Sequence, residues 1–210
     1  AGIVGMGGAG FPTHVKYMPK DPSAIDYIIV NCAECEPYLT SDYRRMMEEP
    51  EKIVGGLQAA MKIFDGRAKG VLAVEDNKKD AAAKLREAAK GIPDIEVVEL
   101  KTKYPQGAER QLIFAVTGRQ INSSMLPADA GCVVNNCDTI HAIYEAVHFG
   151  RPVMKKVMTI TGNAIKEPQN LRVRTGTNFR ELIEEAGGFT SEPEKIIAGG
   201  PMMGIPLISL

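Results

Sequence analysis

The most constraining feature of this 210-residue sequence is a regular alternation of short apolar segments with helical patterns. The Val-, Ile- and Leu-rich segments are strand-sized and lie at residues 25–30, 70–74, 95–100 and 132–134. Helical patterns occupy residues 41–64 (broken at Pro50), 78–90, 108–117 and 139–149, and we expect Asp76 or Asn77 to cap the second. This alternation predicts a Rossmann-like, three-layer α/β domain: a mainly parallel sheet with helices on both faces.

Composition excludes several classes of protein. Apolar residues at 44% and charged residues at 24% are ordinary globular values and exclude a disordered chain. A net charge of −1 with scattered Lys and Arg argues against a nucleic-acid partner. No apolar run approaches the ~20 residues of a membrane-spanning helix, and there is no signal-peptide pattern. The absence of an initial Met and the apolar tail lead us to expect a fragment of a longer protein.

Polar clusters follow the predicted strands. One begins at Asn31 and continues through Glu34 and Glu36, and a second contains Asn135 and Asn136. A third, spanning residues 104–109, follows the strand at 95–100. Ligands of parallel α/β sheets bind at the carboxyl ends of the strands, so these clusters predict a binding site at that edge.

A glycine-rich segment occupies the first residues of the chain, with Gly5, Gly7, Gly8 and Gly10 followed by Phe-Pro-Thr. Glycines allow positive φ and lack Cβ atoms, so such a loop can approach an anion or a flat ring closely. The match to G-x-G-x-x-G is formal, because no strand precedes it, and the Gly-Lys-Ser/Thr ending of a Walker A loop is missing. A flexible turn is the alternative interpretation.

Four cysteines form two spaced pairs, Cys32 with Cys35 and Cys132 with Cys137. Paired spacing can indicate a metal or cluster site, and the alternative is free thiols that pack as small apolar residues. Glu34 and Glu36 flank Cys35, and adjacent carboxylates raise a thiol pKa and disfavour the thiolate. We therefore expect no metal site, and a chemical role for Cys32 and Cys35 stays open.

The pattern changes after Pro152. Strand-like alternation occurs at residues 157–161, 171–174 and 195–198, and Asn178 with Glu181 predicts a capped helix over residues 179–186. We therefore predict two domains, an α/β domain at 1–152 and a smaller domain at 153–210.

Four ordered motifs carry a resemblance to a known family. They are GxGGAGFPTxxK from Gly5, VNxxExEP from Val30, the segment from Tyr104 to Glu109, and VNNxxT from Val134. Together they resemble the flavin-bearing, NADH-oxidising subunit of respiratory complex I, and more closely the RnfC family, the soluble-side subunits of Rnf-type ferredoxin:NAD oxidoreductases. Residues 155–203 similarly resemble the β-grasp module (SLBB type) that follows in both.

The resemblance implies a flavin site and a nicotinamide site but no directly catalytic side chain. The residues implied for FMN are Gly5, Gly7, Gly8, Gly10, Lys16, Asn31, Tyr104, Gly107, Asn135, Asn136 and Thr139. Those implied for NAD(H) are Phe11, Glu34, Glu36 and Glu109. Met6, Ala33, Cys35 and Pro19 depart from the complex I pattern, so the flavin half is better supported than the adenine half.

The same resemblance implies electron exchange between NAD(H) and ferredoxin through FMN, within a complex that contains other Rnf subunits. It places the chain peripherally on the cytoplasmic side of the membrane. The tandem cysteine motif for [4Fe–4S] clusters is absent here, so clusters are expected only in a missing C-terminal part. Two alternatives remain: a soluble cobalamin reductase with the same core, and a non-catalytic docking or ligand-binding module.

Overall fold

The computed structural model of the chain describes residues 1–209 and separates them into two compact units. The first unit comprises Ala1–Cys35 and Arg45–Val153. The second comprises Glu36–Arg44 and the chain from Met154 onward. A contiguous division after residue 152 therefore differs from this one in the segment Glu36–Arg44.

The first unit alternates strands and helices. Its strands are β1 (Tyr27–Cys32), β2 (Lys69–Glu75), β3 (Ile95–Leu100) and β4 (Cys132–Asn136). Its helices are α1 (Thr13–Lys16), α2 (Ser41–Glu48, which begins in the second unit), α3 (Pro50–Lys62), α4 (Lys79–Ala88), α5 (Glu109–Thr117) and α6 (Cys137–Phe149). Pro50 opens α3 at its first turn, where its missing N–H costs no helical hydrogen bond.

The four strands form one parallel sheet in the order β3-β2-β1-β4. One face, with Ile29, Val71 and Val134, packs on Leu112 and Ile113 of α5. Helices α3, α4 and α6 contact the strands, α3 also contacts both α4 and α6, and Leu57 and Met61 of α3 lie against Gly70 of β2. The predicted three-layer α/β fold is confirmed.

Two local predictions are wrong, both at helix or strand ends. Neither Asp76 nor Asn77 caps α4, whose N-cap is Lys78 with no side-chain cap bond. The carboxylate of Asp76 instead accepts bonds from the N–H and hydroxyl of Thr102, which holds the loop after β3. Strands β1 and β4 also extend two residues beyond the predicted ends, so Asn31, Asn135 and Asn136 are strand residues.

Buried ionic groups connect α2, α3 and α6. Arg45 of α2 donates to Asp138 of α6 at 2.8 Å and also pairs with Glu49. His141 of α6 lies 3.1 Å from Glu49, and burial lowers the pKa of this histidine to about 4. The imidazole is therefore neutral at pH 7, and the network holds the first turn of α6 in place.

Among the described residues, the second unit contains two small antiparallel sheets, the first residues of α2 and one further helix. Strands β5 (Lys155–Ile160) and β6 (Gln169–Arg174) pair, and β7 (Ile196–Ala198) pairs with β8 (Ile205–Leu207), which the sequence pattern did not indicate. Helix α7 (Phe179–Glu185) has Asn178 as its N-cap, as predicted, and the side chain of Asn178 accepts the N–H of Arg180. No helix within residues 1–209 is long and apolar enough to span a lipid bilayer.

Candidate functional site

The carboxyl ends of β1 and β4 place three asparagines at one edge of the sheet. Asn31 and Asn136 are register partners across the β1–β4 pair, and Asn135 precedes Asn136 on β4. Asn136 is also the N-cap of α6, and its side-chain oxygen accepts the N–H groups of Asp138 and Thr139. The start of α6 and the end of the sheet are therefore fixed by the same residue.

The glycine loop lies on this helix start. The loop is closed by a bond from the N–H of Gly5 to the carbonyl of Phe11 at 2.8 Å. At its centre the N–H of Met6 donates to the hydroxyl of buried Thr139 at 2.9 Å. The predicted residues of the loop and of α6 are thus brought together, with Thr139 as an anchor for the loop backbone.

The glycines of the loop differ in what the protein itself requires of them. A Cβ on Gly7 would lie 3.0 Å from the amide nitrogen of Asn136, and Gly10 has a φ of +65°, which favours glycine. At Gly8 the φ is not in the left-handed region, and a Cβ would meet no atom of the described chain within 4 Å. No contact within residues 1–209 explains a glycine at position 8, so its surface is available to a ligand.

Lys16, at the end of α1, points its charge into the edge of the sheet. Its Nζ donates to the carboxylate of Glu109 and to the carbonyl of Val134, both at 2.8 Å. An ammonium has three donors, so this geometry leaves one for a further acceptor. The structure therefore brings together a residue predicted for FMN and one predicted for NAD(H).

Asn31 joins the ends of β1 and the loop after β3. Its amide nitrogen donates to the carbonyl of Gly107 at 2.8 Å, and its oxygen accepts the N–H of Ala33 at 3.1 Å. The Sγ of Cys35 accepts the N–H of Gly107 at 3.3 Å. A Cβ on Gly107 would lie 3.2 Å from that sulfur, so the glycine allows the two loops to approach closely.

Asn135 is buried behind this surface. Its amide nitrogen donates to the hydroxyl of Tyr17 at 2.8 Å, and 4% of the residue is exposed. Burial raises the pKa of Tyr17 far above its usual value, so the phenol stays neutral. Asn135 is therefore held in place by Tyr17, a contact that the sequence motifs did not indicate.

The residues predicted for the nicotinamide nucleotide lie in different surroundings. Phe11 is 49% exposed, as a stacking surface requires, and Tyr104, which was predicted for FMN, is 41% exposed. Glu34 has a φ of +46°, a strained backbone that is common at functional sites. Glu36 belongs to the second unit, where its carboxylate accepts the N–H of Met202 at 3.1 Å and lies against Gly200.

Two buried oxygens that the sequence did not single out have no hydrogen-bond partner within residues 1–209. They are Oγ1 of Thr13, just after the glycine loop, and Oε1 of Gln106, in the loop after β3. Thr13 is 4% exposed and Gln106 is 2% exposed. Buried polar atoms are normally hydrogen-bonded, so each of these oxygens lacks a partner that a bound ligand would have to supply. Together with the open space at Gly8, they fit a nucleotide that carries a polar ring.

Metal-binding geometry is not found in the part of the chain that the structure describes. No group of three or more His, Cys, Asp or Glu residues among residues 1–209 could hold a metal ion. The four cysteines are free, with Cys32, Cys132 and Cys137 buried and Cys35 half-buried. Burial raises the pKa of Cys132 to about 11, which keeps it a thiol at pH 7.

A parallel sheet whose carboxyl edge carries a glycine loop on a helix start defines a nucleotide-binding α/β domain. The sequence model of the Nuo51 FMN-binding domain matches residues 1–145, and the chain belongs to this family. The SLBB domain model matches residues 157–206. The predicted combination of an FMN-type α/β core and an SLBB domain is therefore confirmed.

The chain is similar over nearly its whole length to RnfC subunits of ion-translocating complexes. It is 53% identical to a subunit of the proton-translocating ferredoxin:NAD(+) oxidoreductase complex of Clostridium ljungdahlii, over 97% of this chain and 44% of that protein. It is 52% identical to the counterpart in the Na(+)-translocating complex of Acetobacterium woodii, over 98% and 46%. The resemblance to RnfC is confirmed, and the chain spans less than half the length of these relatives.

A solved structure shows the same fold. A chain of the NAD+-reducing [NiFe]-hydrogenase in its H2-reduced state aligns with a TM-score of 0.77 over 98% of this chain and 42% of that one. The sequence identity is 22%, so this likeness concerns the fold alone.

Proposed function

We propose that this chain is the FMN-binding, NAD(H)-reacting part of an Rnf-type ferredoxin:NAD oxidoreductase. The observation that carries the proposal is the glycine loop anchored on Thr139, with open space at Gly8, in a chain of the Nuo51 FMN-binding family. The relatives' names support this function rather than a cobalamin reductase, because both similar subunits belong to ferredoxin:NAD(+) oxidoreductase complexes.

The residues present fit a flavin nucleotide. Gly8 and Gly10 offer backbone without side chains, and Gln106 and Thr13 offer buried oxygens that lack donors within residues 1–209. Lys16 supplies a cation for a phosphate, while Asn136 and Thr139 hold the start of α6, whose dipole favours an anion. Gly5, Gly7, Asn31, Tyr104, Gly107 and Asn135 complete the proposed FMN set by shaping the loops around it.

FMN, when bound, accepts a hydride and releases electrons one at a time, which is the chemistry that NADH oxidation by ferredoxin-linked complexes requires. The protein supplies binding and orientation, and no side chain is proposed to act as an acid or base. Glu34 and Glu109 are proposed to bind ribose hydroxyl or carboxamide N–H groups, and Phe11 to pack on a ring of the nucleotide. Glu36, whose carboxylate also accepts the N–H of Met202, is proposed to bind NAD(H) as well.

The wider setting is part of the same proposal. We infer that the partners are the other subunits of an ion-translocating complex and that the chain lies peripherally on the cytoplasmic side of the membrane. The [4Fe–4S] clusters that would carry single electrons onward are proposed to lie outside this sequence.

An anaerobic titration tests the function. FMN is added to the chain while flavin fluorescence and absorbance are followed, and NADH is then added to the complex. We expect saturable FMN binding and, when NADH is added, bleaching of the visible absorbance of the oxidised flavin. Absence of FMN binding by a chain that circular dichroism shows to be folded would refute the proposal. FMN binding without bleaching would support the proposed flavin site and refute the proposed reaction with NAD(H).

A further inference from the structure

A buried ion pair lies at the end of β2, apart from the residues proposed to touch FMN or NAD(H). Glu75 is the last residue of β2 and is 2% exposed. Its Oε2 lies 3.4 Å from Nζ of Lys78, whose side chain is 13% exposed. A carboxylate and an ammonium that are both withdrawn from water are costly unless each has further polar partners. Those partners show what the pair does.

Each member of the pair binds the backbone of a different loop. The Nζ of Lys78 donates to the carbonyl of Ala33 at 2.9 Å, in the loop after β1. The N–H of Lys103, in the loop after β3, donates to Oε1 of Glu75 at 3.3 Å. The loop after β1 carries Glu34, and the loop after β3 carries Tyr104. The ion pair at the end of β2 therefore connects the loop after β1 to the loop after β3.

The two loops are also joined directly, which closes a ring of hydrogen bonds. From Ala33 the ring passes to Asn31, since the N–H of Ala33 donates to Asn31, and the amide of Asn31 donates to the carbonyl of Gly107. From there it returns to Lys103, whose carbonyl accepts the N–H of Gln106 at 2.8 Å. The ring runs through the ends of β1, β2 and β3 and includes backbone that flanks Gln106 and Gly107.

We propose that Glu75 and Lys78 are positioning residues that set the spacing between the two loops of the flavin site. The inference rests on the proposed function, because it assigns these residues a role in FMN affinity. Both the charge and the length of Lys78 matter. A glutamine at position 78 is neutral and shorter than lysine, so it cannot bond to the carbonyl of Ala33 and to Glu75 at the same time, as lysine does. Loss of either charge removes the link through β2, so the loops can move apart. Asn31 and Gly107 are then misplaced relative to the flavin ring of bound FMN.

The test compares the chain with Lys78→Gln, Glu75→Gln and the double variant. Each single change leaves one buried charge without its partner and should lower both stability and FMN affinity. The double change removes both charges, so the urea midpoint should recover, while FMN binding should stay about 10- to 100-fold weaker because the link between the loops through β2 is still missing. Lys78→Arg retains the charge and two donating groups and should restore most of the affinity.

Arg119→Gln provides a control at the amino ends of β1 and β4, with a more exposed ion pair. Arg119 also binds one loop carbonyl, that of Ala130 at 2.7 Å, and one carboxylate, that of Asp26 at 2.6 Å. Its removal should lower stability without changing the dissociation constant for FMN. An equal loss of FMN affinity in Arg119→Gln would show that the Lys78 effect is general destabilisation and would overturn the inference.

Hydrogen exchange without FMN gives a second, independent measurement. In the double variant the amides of Ala33, Lys103 and Gly107 should exchange faster, while amides within β4 should not change. Unchanged exchange, or FMN affinity restored together with stability in the double variant, would overturn the inference. If the unaltered chain binds no FMN, the proposed function fails and so does the role in FMN affinity, whereas normal FMN binding by Lys78→Gln refutes the positioning role alone.

Discussion

The substitution Gly8→Ala should separate the stability of the chain from its affinity for FMN. In the ligand-free chain the new methyl group would meet no atom of residues 1–209 within 4 Å, and the φ at position 8 is outside the left-handed region. Alanine restricts the unfolded chain more than glycine, so the free energy of unfolding should rise by about 0.4–1 kcal/mol. The protein alone therefore gains from the substitution.

The same methyl group should oppose binding. If FMN lies along the loop, a methyl at Gly8 occupies space that the ligand needs, and overpacking of this kind costs about 1–3 kcal/mol. Because 1.4 kcal/mol corresponds to about a tenfold change, the dissociation constant for FMN should rise roughly 5- to 150-fold. Gly7→Ala is the comparison: its Cβ would lie 3.0 Å from Asn136, so stability and affinity should fall together.

Two measurements decide this prediction. Urea unfolding of the ligand-free chain gives the stability of each variant, and fluorescence titration gives the dissociation constant for FMN. Unchanged FMN affinity in Gly8→Ala would show that the open face of the loop is not the flavin surface. A large loss of stability in Gly8→Ala would show that the space around position 8 is filled by the protein.

Two further predictions concern the packing of α6. A Cβ on Gly56 of α3 would overlap the carbonyl oxygen of Ile140, so Gly56→Ala should lower the free energy of unfolding by about 3 kcal/mol, as measured by urea unfolding. Gln58→Ala, at an exposed position of the same helix, is the control and should not lower it. The pKa of His141 is about 4 in the folded chain, chiefly through burial and then through Arg45, against 6.5 as its ordinary value. As pH falls, His141 therefore binds a proton in the unfolded state before it does so in the folded state, and the free energy of unfolding should fall between pH 6.5 and pH 4. His141→Gln should flatten that part of the pH profile. A profile that the substitution leaves unchanged would refute the low pKa of His141.

Sequence patterns predicted the sheet because β1, β2 and β4 are mostly buried and carry nearly continuous runs of apolar residues, while β3 is only partly buried but is still rich in Val, Ile and Leu. They misjudged the ends of β1 and β4 because Asn31, Asn135 and Asn136 are polar and resemble loop residues. Each of these asparagines has a side-chain partner within the protein: Asn31 bonds to Gly107, Asn135 bonds to Tyr17, and Asn136 caps α6. Strand β8 escaped detection because it has three residues and contains Pro206, which does not suit the interior of a sheet.

The candidate site was predictable where a motif is local and not where partners come from distant segments. The glycine loop and Asn136 can be read from adjacent residues, and both lie at the carboxyl edge of the sheet. The bond between Tyr17 and Asn135 joins residues far apart in sequence and has no local signal. Asp76 was predicted as a helix cap because it precedes α4. Its carboxylate instead accepts hydrogen bonds from Thr102, which is distant in sequence.

Glycines in this chain serve two different needs, and the structure separates them. Gly56 and Gly7 lack a Cβ because Ile140 and Asn136 occupy that space, and Gly10 adopts a backbone angle that other residues resist. These three can be explained by the protein alone, so their substitution should lower stability whatever the chain binds. Gly8 has neither reason, and a residue that costs chain entropy without a structural return is best explained by a ligand. Position 8 is therefore the part of the glycine loop at which we expect a ligand to contact the backbone.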